Sequence, residues 1–259
     1  MHSVRTRTRL AFESACALGG RGALAPAGRT VDATHSCRCL RCVCCPIDAR
    51  LATQVYGILC CMLLCTTTVC SLVMFDPSVT AFVYANPWVQ ILSLVAPLVG
   101  LIPLYCYRHS HPLNLVLLGG WTATLSLGVG MVCAAYPAQV VLEALVLTAA
   151  ISLGLTAYTF WATAQGKNFD FMGPFLCSSL FAFVAVSIIA LFFPYSGGFQ
   201  LFLAFVGAVL FSAYIVWDTF ALVKRFSVDE YVWASVSLFL DIINLFLRLL
   251  EILGGGRAD

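Results

Sequence analysis

The sequence predicts an all-α polytopic membrane protein with seven transmembrane helices. Composition is the first reason, because 61% of the 259 residues are hydrophobic and only 10% are charged. An ordinary soluble domain carries about 25% charged residues, so this chain has too little polar material to cover a water-facing surface. Length is the second reason, since a membrane helix needs about 20 predominantly apolar residues to cross about 30 Å of hydrocarbon. The segments that meet this requirement are 55–75, 88–107, 113–135, 138–161, 171–193, 199–223 and 232–253.

Residues 1–50 differ from the membrane domain that we predict over residues 51–259. They hold eight of the 14 Lys and Arg residues, and their Arg-rich, acid-poor composition is typical of an organelle transit peptide. We favour a disordered cytosolic tail, because composition alone is weak evidence for targeting. A Cys cluster within this segment, Cys37–Cys45, has three interpretations: a zinc site, palmitoylated thiols or unmodified Cys. The last is the simplest, because a second CxxC or HxxxH at zinc-finger spacing is absent from the sequence.

The connections between the predicted spans indicate an orientation. One set carries all of the internal basic residues, whereas 76–87, 136–137 and 194–198 carry none. By the positive-inside rule the N-terminus is cytosolic, and an odd number of spans places Gly254–Asp259 on the other side of the membrane. The basic residues of the first set, after the N-terminal segment, are Arg108, Lys167, Lys224 and Arg225.

Two aspartates in the last two spans are the leading candidates for function. Asp218 lies six residues before Lys224, which places it about 9 Å inside the cytosolic boundary. Asp241 lies 11 residues beyond Glu230, about 16 Å inside the same boundary. A connection of about eight residues joins the two helices as an antiparallel hairpin, so we expect both carboxyl groups in the cytosolic half of the membrane.

The last span carries a polar stripe that supports this interpretation. Spacings of four, three, four and three residues put its polar side chains on one helical face. A polar face in a membrane helix is expected to point to the protein interior or to a water-filled cavity. The residues of this stripe are Ser237, Asp241, Asn244, Arg248 and Glu251.

A close pair of carboxylates has a specific chemistry. Two such groups cannot both ionise easily, so the pair tends to keep one proton. It can also bind a hard cation such as Ca²⁺ through its oxygens, or exchange a proton for the cation. The alternative is structural, with Asp241 paired to Arg248, or Asp218 paired to a basic residue, as a lock between helices.

Glu143 is a separate acidic candidate. It lies five residues into the fourth span, about 7.5 Å below the opposite, luminal face, and so it cannot belong to the aspartate pair. Two interpretations remain: a residue that lines an outer vestibule, or a side chain that reaches the membrane interface.

Many short segments over about 200 residues carry a resemblance to a known family. The segments are VYGILC (55–60), HPLNLVLLG (111–119), VLEALVLT (141–148), YTFWA (158–162), GKNFDFMGPFL (166–176), YIVWDT (214–219) and DEYVWASVSLFLDIINLFLRLLEIL (229–253). From Gln54 to about Leu253 the chain resembles the transmembrane Bax inhibitor motif family, and most closely its plant LIFEGUARD branch. Trp217 departs from the family pattern, which usually has Tyr before the sixth-span aspartate.

The resemblance implies seven helices with the last enclosed by the others. It also implies a pH-sensitive Ca²⁺ leak across intracellular membranes and suppression of cell death. The di-aspartyl sensor of the family corresponds to Asp218 and Asp241, which are then also the candidate Ca²⁺ ligands. Arg108 is the candidate for the basic residue that latches the sensor shut, and Glu143 corresponds to the acidic residue of the fourth helix.

Three functional hypotheses follow, and none is an enzyme, because the sequence has no nucleophile–base arrangement, phosphate loop or dinucleotide fingerprint. The first is the calcium leak gated by the aspartate pair, which needs no cofactor beyond the transported Ca²⁺. The second is a non-conducting regulator of death or stress signalling that binds other membrane proteins. The third and weakest is a proton-coupled carrier. The expected partners are the lipid bilayer, Ca²⁺ and protons, without nucleic acid. The expected location is an endomembrane, ER or Golgi first, with the plasma or vacuolar membrane as alternatives.

Overall fold

The structure is a computed structural model that describes residues 33–107, 110, 113–192, 197–226 and 230–255, with side chains from Arg50 onward except those of residues 84 and 191. The chain divides into two units, Met1–Cys44 and Cys45–Asp259, and the fold discussed below is that of the second unit. The predictions for residues 1–32 and for the side chains of Cys37–Cys45 lie outside this description.

The described residues form eight α-helices and no β-strand. This confirms the prediction of an all-α protein. In chain order the helices are α1 (Ala33–Phe75), α2 (Pro77–Ala85), α3 (Pro87–Cys106), α4 (Leu113–Ala134), α5 (Ala138–Ala164), α6 (Met172–Phe192), α7 (Gly197–Lys224) and α8 (Tyr231–Gly255).

Six of these helices are long and apolar enough to cross a membrane. They comprise residues Arg50–Phe75 of α1, all of α3, α4, α5 and α7, and Met172–Ala190 of α6. Their outer faces are strongly apolar: Leu94, Phe181 and Phe192 are 71%, 73% and 78% exposed. A surface of this kind is stable against lipid rather than water, and the chain is therefore a polytopic membrane protein.

The seventh predicted span differs from the other six. Helix α8 has 25 residues, enough to cross the hydrocarbon. It carries Asp241, Arg248 and Glu251, however, and it is not one of the six helices that are long and apolar enough to cross a membrane. Six spans are thus confirmed by these criteria, whereas the count of seven is not.

The segment between the first two predicted spans is not a simple connection. It contains the nine-residue helix α2, which we did not predict. The Asp76 carboxylate caps this helix by accepting a hydrogen bond of 2.9 Å from the backbone N–H of Ser78, and Pro77 occupies the first helical position. Both features favour helix initiation. An Asp-Pro step was therefore the missed signal.

Helix α8 lies inside the bundle. Its Phe239 ring packs edge-on against Trp121 of α4 at 5.9 Å, and the Ser235 hydroxyl lies 3.4 Å from the Val55 carbonyl of α1. Side chains of α8 belong to both apolar clusters of the molecule, one built mainly with α1 and α4 and the other with α6 and α7. The prediction that the last helix is enclosed by the others is confirmed.

The two ends of the bundle differ in charge. Helices α4 and α8 begin at the same end, where the Asn114 amide donates a hydrogen bond of 3.1 Å to the Tyr231 hydroxyl. We call this the basic end, and among the described residues it carries Arg50, Lys167, Lys224 and Arg225. The opposite end carries residues 76–86 and 135–137, without a single Lys or Arg.

Candidate functional site

The hairpin of α7 and α8 positions the two aspartates. Asp218 lies six residues before the end of α7, and Asp241 lies ten residues after the start of α8. A helix rises 1.5 Å per residue, so the two carboxyl groups lie about 9 Å and about 15 Å from the basic end. Both side chains are buried, at 6% and 7% exposure.

The two carboxyl groups contact each other. The Asp218 carboxyl group hydrogen-bonds with the side chain of Asp241, and the Ser237 hydroxyl group lies next to it. A hydrogen bond between two carboxyl groups needs a proton on one of them, so this contact forms only while the pair holds at least one proton. Oδ2 of Asp241 is buried and makes no hydrogen bond with the described residues, which leaves a free acceptor in the site.

Two neighbouring hydroxyl groups complete the surroundings of the pair. Tyr214, one turn before Asp218 on α7, lies close enough to interact electrostatically with both carboxyl groups. The Ser237 hydroxyl also lies 3.2 Å from the Ala234 carbonyl. Because a hydroxyl group has one hydrogen, the Ser237 hydroxyl can donate to the Ala234 carbonyl or to Asp218, but not to both at once.

The structural alternative for Asp241 is not what the structure shows. Arg248 pairs with Glu251 at 2.8 Å, within the same helix. In the part of the chain that the structure describes, no Lys or Arg forms an ion pair with Asp218 or Asp241. The pair is therefore held by hydrogen bonds, without a compensating base among these residues.

The polar stripe of α8 divides into two groups. Ser237 and Asp241 face α7, whereas Arg248 and Glu251 pair nearer the opposite end. Between them the Asn244 amide donates a hydrogen bond of 2.8 Å to the Leu240 carbonyl of its own helix. The spacing predicted one polar face, and in the structure its residues belong to two separate clusters.

The Arg248 side chain is fixed by packing as well as by charge. Its guanidinium lies 5.1 Å from the centre of the Phe183 ring, and its stem passes Gly207, where a Cβ would lie 3.0 Å from Arg248 Cδ. The glycine therefore provides the space that the arginine occupies.

The other two candidates lie away from the pair. Glu143 is exposed in the second turn of α5, at the opposite end of the bundle. Glu143 is therefore remote from the aspartates, and this separation is the one that the sequence indicated. Arg108, the latch candidate, lies outside the described residues, so its position relative to Asp218 is not part of the site described here.

Sequence reasoning missed a group of hydroxyls beside the pair. Thr219 is fully buried, and its hydroxyl lies close to that of Tyr56, which also approaches Thr156. Neither the Thr219 nor the Tyr56 hydroxyl makes a hydrogen bond of good geometry with the described residues. The only signal in the sequence was the position of Thr219 next to Asp218.

An ion pair at the basic end was also missed. The Arg225 guanidinium binds the Asp170 carboxylate of the α5–α6 connection, and it lies 5.7 Å from the centre of the Trp217 ring. Arg225 holds the pKa of Asp170 below its usual value of 3.8, with help from the Asn168 side chain. This ion pair links the end of α7, the helix that carries Asp218, to the connection between α5 and α6.

The described residues do not form a multidentate metal centre. No group of three or more His, Cys, Asp or Glu side chains among them could hold a metal ion. The pair alone supplies carboxylate oxygens, and Ca²⁺ prefers six to eight oxygen ligands. A cation here would therefore keep part of its water shell, as a transient or transported ion does.

Comparison with known proteins adds a family to this geometry. Residues 49–258 match the family model described as inhibitor of apoptosis-promoting Bax1. The match covers the whole helical bundle from the first apolar span to α8.

Curated relatives from plants, animals and viruses share this similarity. The BI1-like protein of Arabidopsis thaliana is 43% identical over 210 residues, which cover 78% of this chain and 79% of the relative. Protein LIFEGUARD 4 of the same plant is 43% identical over 202 residues, which cover 77% and 82%. The Golgi anti-apoptotic protein of Vaccinia virus (strain Lister) is 38% identical over 201 residues, which cover 77% and 83%. The sequence resemblance to the plant LIFEGUARD proteins is thus confirmed.

Proposed function

Because the chain belongs to the Bax inhibitor family, we propose that it is a pH-sensitive calcium leak channel of intracellular membranes that suppresses cell death. The observation that carries the proposal is the buried hydrogen bond between Asp218 and Asp241. Charged groups inside a membrane protein are costly and often belong to ion pathways or proton relays. The name of the viral relative, Golgi anti-apoptotic protein, supports the role in cell death.

The pair acts as the gate through its proton. With one proton shared, the two carboxyl groups attract each other and hold α7 against α8. Loss of that proton leaves two like charges that repel, and a second proton removes the net charge altogether. Each change alters the force between the two helices, so conduction depends on pH.

The same oxygens serve the cation. Carboxylates bind Ca²⁺ only when they are deprotonated, and therefore protons and Ca²⁺ compete at the pair. The free Oδ2 of Asp241 supports this role, because it is a buried acceptor that a passing cation can use.

Two further residues take supporting roles in the proposal. Glu143 lines the entrance at the opposite end, where an exposed carboxylate raises the local cation concentration. Arg108 latches the closed pair from the basic end. The basic end faces the cytosol by the positive-inside rule, which places the N-terminus in the cytosol and the opposite end in the lumen of the ER or Golgi.

Calcium flux into liposomes that contain the purified protein tests the proposal. The expected result is a flux that depends on pH in the parent and loses this dependence in Asp218→Asn and in Asp241→Asn. Asp76→Asn is the matched control, since Asp76 caps α2 outside the long helices and Asn caps a helix equally well. It should keep the pH profile of the parent.

Two other results would favour a different function. Folded parent protein that gives no flux above empty liposomes would favour the non-conducting regulator, with the aspartates as structural contacts. A saturable uptake of one solute driven by a proton gradient would instead indicate the carrier.

A further inference from the structure

A pair of thiols lies at the other end of the bundle from the aspartates. Cys70 lies five residues before the end of α1, and Cys133 is the last residue but one of α4. Cys133 is completely buried and Cys70 is partly buried, and both are free thiols. The proposed gate does not use them.

Helices α1 and α4 are held close together around these thiols. The Ser126 hydroxyl donates a hydrogen bond of 3.0 Å to the Thr66 hydroxyl, and Cys70 Sγ lies 3.9 Å from the Ser126 carbonyl oxygen. At Gly130 an added Cβ would lie 3.2 Å from Val73 and 3.4 Å from the Cys70 Cα. The register of the two helices is therefore fixed by contacts on both sides of the thiols.

The thiols themselves lie close together. Cys70 and Cys133 interact across the α1–α4 interface, and Cys70 Sγ lies 3.9 Å from a backbone oxygen of the helix that carries Cys133. A disulfide needs Cβ atoms about 3.5–4.5 Å apart, a separation that the close packing of the two helices favours. Rotation about the two Cα–Cβ bonds can then bring the sulfur atoms together.

A cavity gives access to this pair. Cys70 and Cys133 both line a space of about 530 Å³ between α1, α5 and α8. Its walls are mostly apolar side chains such as Leu63, Val141 and Phe246. A small uncharged molecule that dissolves in the bilayer can enter such a space without the cost of a buried charge.

We propose that Cys70 and Cys133 form a redox modification site, in which a small hydroperoxide converts the two thiols to a disulfide. The peroxide oxidises one thiol to a sulfenic acid and is itself reduced to water, or to an alcohol if it is organic. The second thiol then displaces the sulfenic hydroxyl group as water, and the S–S bond forms. With hydrogen peroxide the balance is two thiols and one peroxide giving one disulfide and two waters.

The bond would tie the first span to α4 at the opposite end. It would close a loop through α2 and α3, which cross-links the folded bundle and restricts its unfolded states. Because the proposal concerns a covalent bond, it does not depend on whether the protein conducts calcium.

Peptide mapping of the oxidised full-length protein tests the proposal. The purified protein in detergent is treated with hydrogen peroxide, remaining thiols are blocked with a maleimide, and the digest is analysed by mass spectrometry with and without dithiothreitol. The expected product is a reducible Cys70–Cys133 cross-link. We also expect the midpoint of thermal unfolding to rise by about 5 °C and to return after reduction.

Three variants separate this site from general oxidation. Cys133→Ser and Cys70→Ser each remove the cross-link and the thermal shift, whereas Cys177→Ser, which changes an exposed thiol on α6, leaves both unchanged. Full maleimide labelling of Cys70 and Cys133 after peroxide treatment would overturn the proposal. So would a cross-link from Cys70 to any other cysteine, or a thermal shift that survives in the Cys133→Ser variant.

Discussion

The carboxyl groups of Asp218 and Asp241 hydrogen-bond across the interface of α7 and α8, and within the described chain neither has a basic partner. Most buried charges in proteins are paired with an opposite charge or neutralised. A hydrogen bond between two carboxyl groups requires a proton on one of them, so a change at either aspartate should affect both.

Substitutions at the two aspartates should not be additive. Asp218→Asn and Asp241→Asn each replace one half of the same hydrogen bond, so the double variant should differ from the sum of the single effects by about 0.5–3 kcal/mol in free energy of unfolding. Unfolding in detergent at one fixed pH measures this cycle. The cycle of Asp218→Asn with Asp76→Asn, which joins residues at opposite ends of the bundle, should be additive within about 0.5 kcal/mol. An equally additive aspartate cycle would mean that the two carboxyl groups do not interact.

Gly207 should be intolerant of a methyl group. An added Cβ would lie 2.8 Å from the Phe183 ring and 3.0 Å from Arg248 Cδ, so Gly207→Ala must shift the ring and crowds the side chain that pairs with Glu251. Such overpacking typically costs about 1–3 kcal/mol. Gly154→Ala on α5 is the matched control, because its Cβ meets nothing within 4 Å. Thermal unfolding of both variants should show a loss at Gly207 and none at Gly154.

The ion pair of Asp170 and Arg225 should depend on pH. Arg225 holds the pKa of Asp170 below its usual value of 3.8. A lowered pKa in the folded state stabilises the protein above the unfolded pKa, and this contribution is lost as pH falls through the folded pKa. Asp170→Asn should therefore lower the unfolding midpoint at pH 7 slightly, because both side chains are about half exposed.

The difference between parent and Asp170→Asn should disappear in acid. Both proteins carry a neutral side chain at residue 170 once the pH is below the folded pKa, and their unfolding midpoints should then coincide. A difference that stays constant from neutral pH to strong acid would show that the hydrogen bonds of Asn168, and not the charge of Asp170, hold this connection.

Thr219→Val should not destabilise the protein. The Thr219 hydroxyl is buried and makes no hydrogen bond of good geometry with the described residues, and removal of such a group is neutral or stabilising by about 1 kcal/mol. Thr122→Val is the control, since that hydroxyl donates a bond of 2.8 Å to the Leu118 carbonyl and its loss should cost about 1 kcal/mol. A clear loss of stability in Thr219→Val would mean that Tyr56 and Thr219 are hydrogen-bonded in the membrane.

The sequence predicted the parts of this molecule that follow from periodicity. Apolar length predicted the bounds of α3 to α8 to within three residues, whereas α1 begins at Ala33, 22 residues before the predicted span. The spacing of Asp241 and Arg248 predicts one face of α8 for both. Charge alone suggested that these two residues could pair. In the structure Arg248 pairs with Glu251 instead. These two residues are three apart in the sequence, so the same polar stripe was equally compatible with this pair.

Contacts between distant residues were beyond that reasoning. Asp170 and Arg225 are 55 residues apart, and neither lies in a pattern that points to the other. Cys70 and Cys133 looked like two of many small apolar residues in membrane helices, and only the packing of α1 on α4 brings them together. The short helix α2 differs from these contacts, because its start could have been predicted from adjacent residues. Asp76 and Pro77 are a helix-capping residue and a first-position proline, but the prediction for this segment rested only on hydropathy.

The position of α8 at the centre of both apolar clusters has a consequence for biogenesis. A ribosome makes this helix after every other helix that packs around it. Until it arrives, the earlier helices must wait in the membrane around an unfilled space, with Asp218 lacking its neighbour. The core of the bundle is therefore complete only after α8 has been made. A chain that ends before Tyr231 would leave Asp218, which is buried in the complete protein, accessible to membrane quality control.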